Sequence, residues 1–153
     1  MNLEKTDNLF GGGITIWLLK TEPEEYSWQD LVEEGQSVWD GVKAPAALKN
    51  LRCMKRDDSV FIYHTGRERA IVGIARVIAE AYPDPSVNDD RFVVIKIAPV
   101  EQLNNAVSLK QIKESEFFPD WDLIRLPRLS VVPVSDEQWD FIVKQSGTNP
   151  QSK

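Results

Sequence analysis

SVFIYHT at 59–65 and AIVGIARVIAEAY at 70–82 decide the fold. Both runs are rich in β-branched and aromatic residues, and the short turn around Gly66 leaves no room for a helix between them, so they read as two consecutive strands. Gly73, inside the second run, predicts a bulge or a close approach of another group to the backbone.

Working back toward the start, ITIWLLK (14–20) is a third strand, and its lack of alternation predicts burial on both faces. Ser27 followed three residues later by Asp30 forms a capping box for a short helix that Gly35 stops. Val38 and Trp39 lead into the turn pair Asp40-Gly41. Pro45 then opens a helix whose apolar stripe is Ala46, Ala47, Leu48, Leu51 and Met54. On that helix Lys49, Arg52 and Arg56 share a face, at steps of three and four. Toward the other end, YPDPSVNDD is a loop and RFVVIKIAPV (91–100) a strand. SLKQIKES (108–115) is a short helix, and LIRLPRLSVVPV (123–134) is a strand that its prolines confine to an edge or a bulge. Ser135 with Gln138 caps a last helix that ends before Gly147. Residues 1–13 read as a flexible leader and 147–153 as a frayed tail, flanking one domain over 14–146. The class is α+β: a curved, mostly antiparallel β-sheet or barrel with short flanking helices.

Composition narrows the chemistry. The 153 residues carry a formal net charge of -6, which argues against broad coating of nucleic acid. The charge is uneven: residues 1–40 hold nine acids against two bases, whereas 43–56 hold five bases and no acid. A solvated helix face is one explanation of that basic run, and a local anion site beside Trp39 is another. No apolar run is long enough to span a membrane and MNLEKTDNLF is no signal peptide, so the expected setting is cytoplasmic, with no membrane partner. A single cysteine, Cys53, and a single histidine, His64, give no metal-ligand spacing, and neither a metal nor another cofactor is expected. A Cys53–His64 dyad has little in its favour, because Cys53 falls within its amphipathic helix between Leu51 and Met54 and buried free cysteine is common. No phosphate-binding glycine loop is present in the right context. Trp39 can stack on a base or plug one end of the core, and the residues alone leave both open. Tyr63, His64 and Thr65 can all hydrogen-bond, which suits either reading a base edge or satisfying the backbone.

WLLKTEPEEYSW (17–28), VWDGVKA (38–44), LRCMKRDDSVFIYHT (51–65), VGIARVIAEAYPD (72–84) and LSVVPVSDEQW (129–139), in this order, resemble the EVE domain over residues 14–143. The resemblance implies a PUA-like fold and non-catalytic nucleic-acid binding, DNA or RNA, by a reader of a modified base, modified cytosine favoured. A general RNA-binding module without modification preference is the alternative, and a small-nucleotide enzyme using His64 a more remote one. Position by position, the family's elements fall on Lys20, Thr21, Glu22 and Pro23; on Trp39, Asp40, Gly41 and Val42; on Tyr63, His64 and Thr65; and on Val72, Gly73, Ile74 and Ala75. The roles this implies are phosphate contact for Lys20, stacking for Trp39 and edge reading for Thr21, Tyr63 and His64. Many members read WDGVRN where this chain has WDGVKA. Lys43 keeps the charge without arginine's planar fork, and Ala44 lacks an amide. Phosphate contacts are then expected to shift to Lys49 or Arg52.

Overall fold

The computed structural model describes residues 15–150. The expected leader, and residues 151–153 of the expected tail, lie outside the described residues. Six strands form one sheet: β1 (Ile16–Thr21), β2 (Ser37–Trp39), β3 (Ser59–His64), β4 (Ala70–Pro83), β5 (Val93–Ser108) and β6 (Val131–Pro133), in the order β2-β5-β4-β3-β1-β6. Pairing is antiparallel except between β1 and β3, which run parallel with Thr21 opposite His64. The edges β2 and β6 do not pair with each other, so the sheet is open and "barrel" overstates its closure.

Both faces of the sheet are covered, as the unbroken apolar run of β1 requires. Trp17 and Leu19 of β1, Val60 and Ile62 of β3 and Ile95 and Ile97 of β5 bury one face. Against it pack α1 (Trp28–Glu34) through Trp28 and Leu31, and α2 (Pro45–Cys53) through Ala47, Leu48 and Leu51. Ile16, Leu18, Phe61, Ile71 and Leu103 face the other way. There they meet Ile112 of α3 (Leu109–Ser115), Leu123 of α4 (Asp122–Arg125) and Ile142 of α5 (Asp136–Ser146). Trp139, partly buried, stacks on Phe61 with ring centroids 4.6 Å apart.

The capping boxes of α1 and α5 form as the sequence predicts, and Ser108 with Gln111 adds a third on α3. Gly35 and Gly147 end their helices in the left-handed conformation. Three expectations differ from the structure. Of the strand expected over 123–134 only 131–133 is extended, because Asp122–Arg125 closes a helical turn with Asp122 accepting from the Arg125 guanidinium, and Pro127 follows. Pro133 then sits on the edge strand, where its missing donor does no harm. β5 runs past the expected end at 100 and continues to Ser108, staying paired with β4 through register shifts in which β5 carries the extra residues. The expected frayed tail is docked at its start: Thr148 is buried and its Oγ1 accepts from Asn104 N at 2.7 Å, while Asn104 Nδ2 donates to Gly147 O.

Gly73 does both things expected of it. The β4–β5 register shifts beside it, and a Cβ placed there would lie 2.5 Å from the Trp28 ring. The indole therefore lies flat on backbone that no other residue would leave open. Gly73→Ala should force Trp28 off the sheet and cost about 1–3 kcal/mol, the usual range for overpacking. Urea unfolding would show it as a lower midpoint at unchanged slope, and an unshifted midpoint would mean that the indole is not held there.

Candidate nucleic-acid interface

A cavity of about 510 Å³ opens where the end of β1 meets α1 and β2. Its wall combines Lys20, Thr21, Glu22, Glu25 and Tyr26 from the β1–α1 segment with Trp39, Asp40, Gly41, Val42 and Lys43 from β2 and the turn after it. Glu34, Ser37, Val38 and Ser130 complete the lining. Seven of the site residues expected from the sequence thus converge on one concavity: Lys20, Thr21, Trp39, Asp40, Gly41, Val42 and Lys43.

Trp39 plays both parts that the sequence leaves open. It is only 8% exposed and belongs to the core, yet it forms part of the cavity wall. Tyr26 meets it edge-on, with centroids 5.9 Å apart, giving the cavity an aromatic corner. The Tyr26 hydroxyl donates to Glu34, and burial, then that hydrogen bond, pushes its pKa up to about 12. Gly41 turns the chain with φ +78, a conformation that favours glycine. Thr21 Oγ1 donates to Tyr26 O at 2.6 Å, fastening β1 to the segment that carries the aromatic corner. Lys20 Nζ donates to Pro127 O at 2.8 Å and stands 5.7 Å from the centre of the Tyr63 ring, and its desolvation lowers its pKa.

The lining holds four carboxylates against two ammonium groups. Glu22 accepts from Thr65 Oγ1 at 2.8 Å and Glu34 accepts from Tyr26, which leaves Glu25 and Asp40 as the uncommitted acids. Among the described residues no group of three His, Cys, Asp or Glu side chains is placed to hold a metal.

The remaining sequence candidates lie outside the cavity. His64 is buried, with both ring nitrogens in use: Trp28 N–H donates to Nε2 at 3.0 Å, and Nδ1–H donates to Glu68 at 2.8 Å. The imidazole thus holds the start of α1 rather than presenting an edge to a base, and it makes no bond to Cys53, which is exposed rather than buried. Tyr63 is buried on the opposite face with Phe61, where burial raises its pKa. Thr65 reaches the cavity through its wall, donating from Oγ1 to Glu22 and from its backbone N–H to Thr21 O. Lys49 and Arg52 stand on α2, and Arg52 donates to Arg91 O at 2.6 Å. Tyr26, Glu25, Glu34 and Ser130 carry no local signal of a site, since tertiary contact alone assembles them.

The EVE domain model matches residues 15–145. The chain belongs to the EVE domain family. It is 28% identical to mouse thymocyte nuclear protein 1, over 97% of this chain and 82% of that one. Among solved structures, this EVE domain superposes on Rpa0253 from Rhodopseudomonas palustris with a TM-score of 0.83 at 37% identity, covering 88% of this chain and 94% of that one. It also superposes on human THYN1 in complex with 5-methylcytosine-containing DNA, with a TM-score of 0.77 at 26% identity, covering 88% and 99%. The PUA-like α+β arrangement is shared with these neighbours.

One departure from the family's pattern acquires a structural meaning. Ala44 is the N-cap of α2 and supplies no side-chain acceptor, and it does not line the cavity. An asparagine there would accept from a free N–H of the first turn. Ala44→Asn is therefore expected to stabilise the EVE domain by about 0.5–2 kcal/mol and to leave its ligand preference unchanged. Thermal unfolding read beside a binding titration checks both, and a changed preference would return position 44 to the ligand site.

Proposed function

We propose that this EVE domain is a non-catalytic nucleic-acid reader that takes a modified base, cytosine favoured, into the cavity beside Trp39. The observation that carries the proposal is the pairing of an aromatic corner with two uncommitted carboxylates and two lysines in one concavity. A base taken out of the stack needs a flat apolar surface, and stacking on an aromatic ring contributes roughly 1–3 kcal/mol. That offsets the few kcal/mol lost on unstacking.

The charges select the base. Cytosine presents an amino group at N4, to which Asp and Glu are the matching acceptors. Its N3 and O2 are acceptors, which Lys20 or Lys43 suits as donor. Thymine and uracil put a carbonyl oxygen where cytosine has the amine, so Glu25 or Asp40 would meet an acceptor with an acceptor. A methyl at C5 finds apolar surface on Val38, Val42 and Trp39. The complex of human THYN1 with 5-methylcytosine DNA supports the same ligand class.

Asp40 and Lys43 are exposed and can be changed without opening the core, whereas Trp39→Ala would remove a core side chain as well as a stacking one. The test titrates Asp40→Asn, Lys43→Gln and the unaltered protein with oligonucleotides carrying cytosine, 5-methylcytosine, 5-hydroxymethylcytosine or N6-methyladenine, as DNA and as RNA. The expected result is tightest binding of a modified-cytosine oligonucleotide, with at least one substitution lowering that affinity about tenfold, the size of one polar interaction with a base edge. Equal affinity of the unaltered protein for all the oligonucleotides would make it a general binding module instead.

A further inference from the structure

The cavity that suits a base repels the strand that carries it. Its lining of four carboxylates and two lysines is negative, so the phosphates flanking an inserted base must be met elsewhere. We infer that the strand's sugar-phosphate backbone runs over a second basic concavity, formed by the β3–β4 turn and the first turns of α3, with Arg67, Arg69 and Lys113 as its phosphate contacts. The inference rests on the base-reading proposal for where the strand begins.

This concavity, of about 520 Å³, is lined by Arg67, Glu68, Arg69, Lys110, Lys113 and Glu114, with Ser108 and Leu109. Both acids are already engaged. Glu68 accepts from His64, and Glu114 pairs with Lys110 at 3.4 Å. No ion pair or side-chain hydrogen bond with a described residue engages Arg67, Arg69 or Lys113, and all three are exposed. In a chain of net charge -6, unpaired cations gathered in one hollow make a local positive site. On α2 the Arg52 guanidinium donates to Arg91 O, while Lys49 is exposed and in no ion pair with a described residue.

The two basic segments form one body. Leu109 N donates to Arg69 O at 2.8 Å, and Ala70 pairs with Ser108, so the turn and the start of α3 cannot separate. Arg69 itself sits at φ +44, a left-handed conformation that costs free energy in a non-glycine residue and persists where surrounding contacts hold it. The β3–β4 turn also touches the wall of the base cavity. Glu22, which lines the latter, accepts from Thr65 Oγ1, and its Oε2 lies 3.2 Å from where a Gly66 Cβ would stand. Arg67 follows directly, so a strand leaving the base cavity past Glu22 arrives at the cations.

The test is an Arg67→Gln, Lys113→Gln double variant, titrated by fluorescence anisotropy against a single-stranded 5-methylcytosine oligonucleotide and its unmodified twin at several salt concentrations. The expected result is weaker binding of both twins by a common factor. The slope of log affinity against log salt should become shallower by roughly 0.7 for each phosphate no longer neutralised, with the preference between twins retained. A shallower slope in a protein that does not distinguish the twins supports the phosphate surface and contradicts base reading alone. An unchanged slope overturns the inference and moves the backbone to the Lys49–Arg52 face. Failure of the unaltered protein to bind either oligonucleotide overturns it as well.

Discussion

The absence of a side chain at Gly73 is the constraint on which the site depends. It lets the Trp28 indole lie against β4, closer than any Cβ would permit. Trp28 opens α1, and its backbone N–H is held by His64 from β3, so one aromatic residue is fixed from two strands at once. Its own indole N–H is buried and finds no hydrogen-bond partner among the described residues. Such an orphan costs about 1–3 kcal/mol, which the buried area of a tryptophan is large enough to offset. With α1 fixed, the segment from Glu22 to Ser27 has little freedom, and Tyr26 is set against Trp39.

This frame separates residues that shape the cavity from residues that stand at its wall. His64, Thr65 and Gly73 belong to the first kind, and Lys20, Thr21, Trp39, Asp40 and Lys43 to the second. Their motifs place them in one class, because a polar residue at a strand end is chemically equal to the task of reading a base and to that of satisfying a backbone donor. Only the position of Trp28 N–H relative to the imidazole decides between the two.

Local signals carry into the structure wherever they act over three or four residues. Ser27 with Asp30, Ser135 with Gln138, Gly35 and Gly147 all do what their spacing predicts. The strands over 59–65 and 70–82 form because their apolar content exceeds anything a helix could place on one face. Long-range facts are not legible in the same way. Nothing in ITIWLLK says that β1 pairs parallel to β3, far along the chain. The segment 101–107 extends because β4 pairs with its two ends and residues 146–148 hold Asn104 and Asn105 between them. Conversely, 123–130 reads as extended because Leu and Ile serve strands and short helical turns alike. The cavity's acids are hidden for a similar reason: Glu25 and Glu34 are ordinary helix-flanking charges until Trp39 is placed beside them and Lys43.

If a base enters beside Trp39, the indole N–H resonances report it most directly. The chain has five tryptophans, of which Trp17, 2% exposed and donating to Asp58, is an internal control on the same core face. A 5-methylcytosine oligonucleotide should shift the Trp39 indole and the amides of Asp40 to Lys43 while leaving Trp17 unmoved, and the unmodified oligonucleotide should shift them less. Binding that leaves the Trp39 indole and those amides in place, with its shifts confined to other surfaces, would contradict base entry at this cavity.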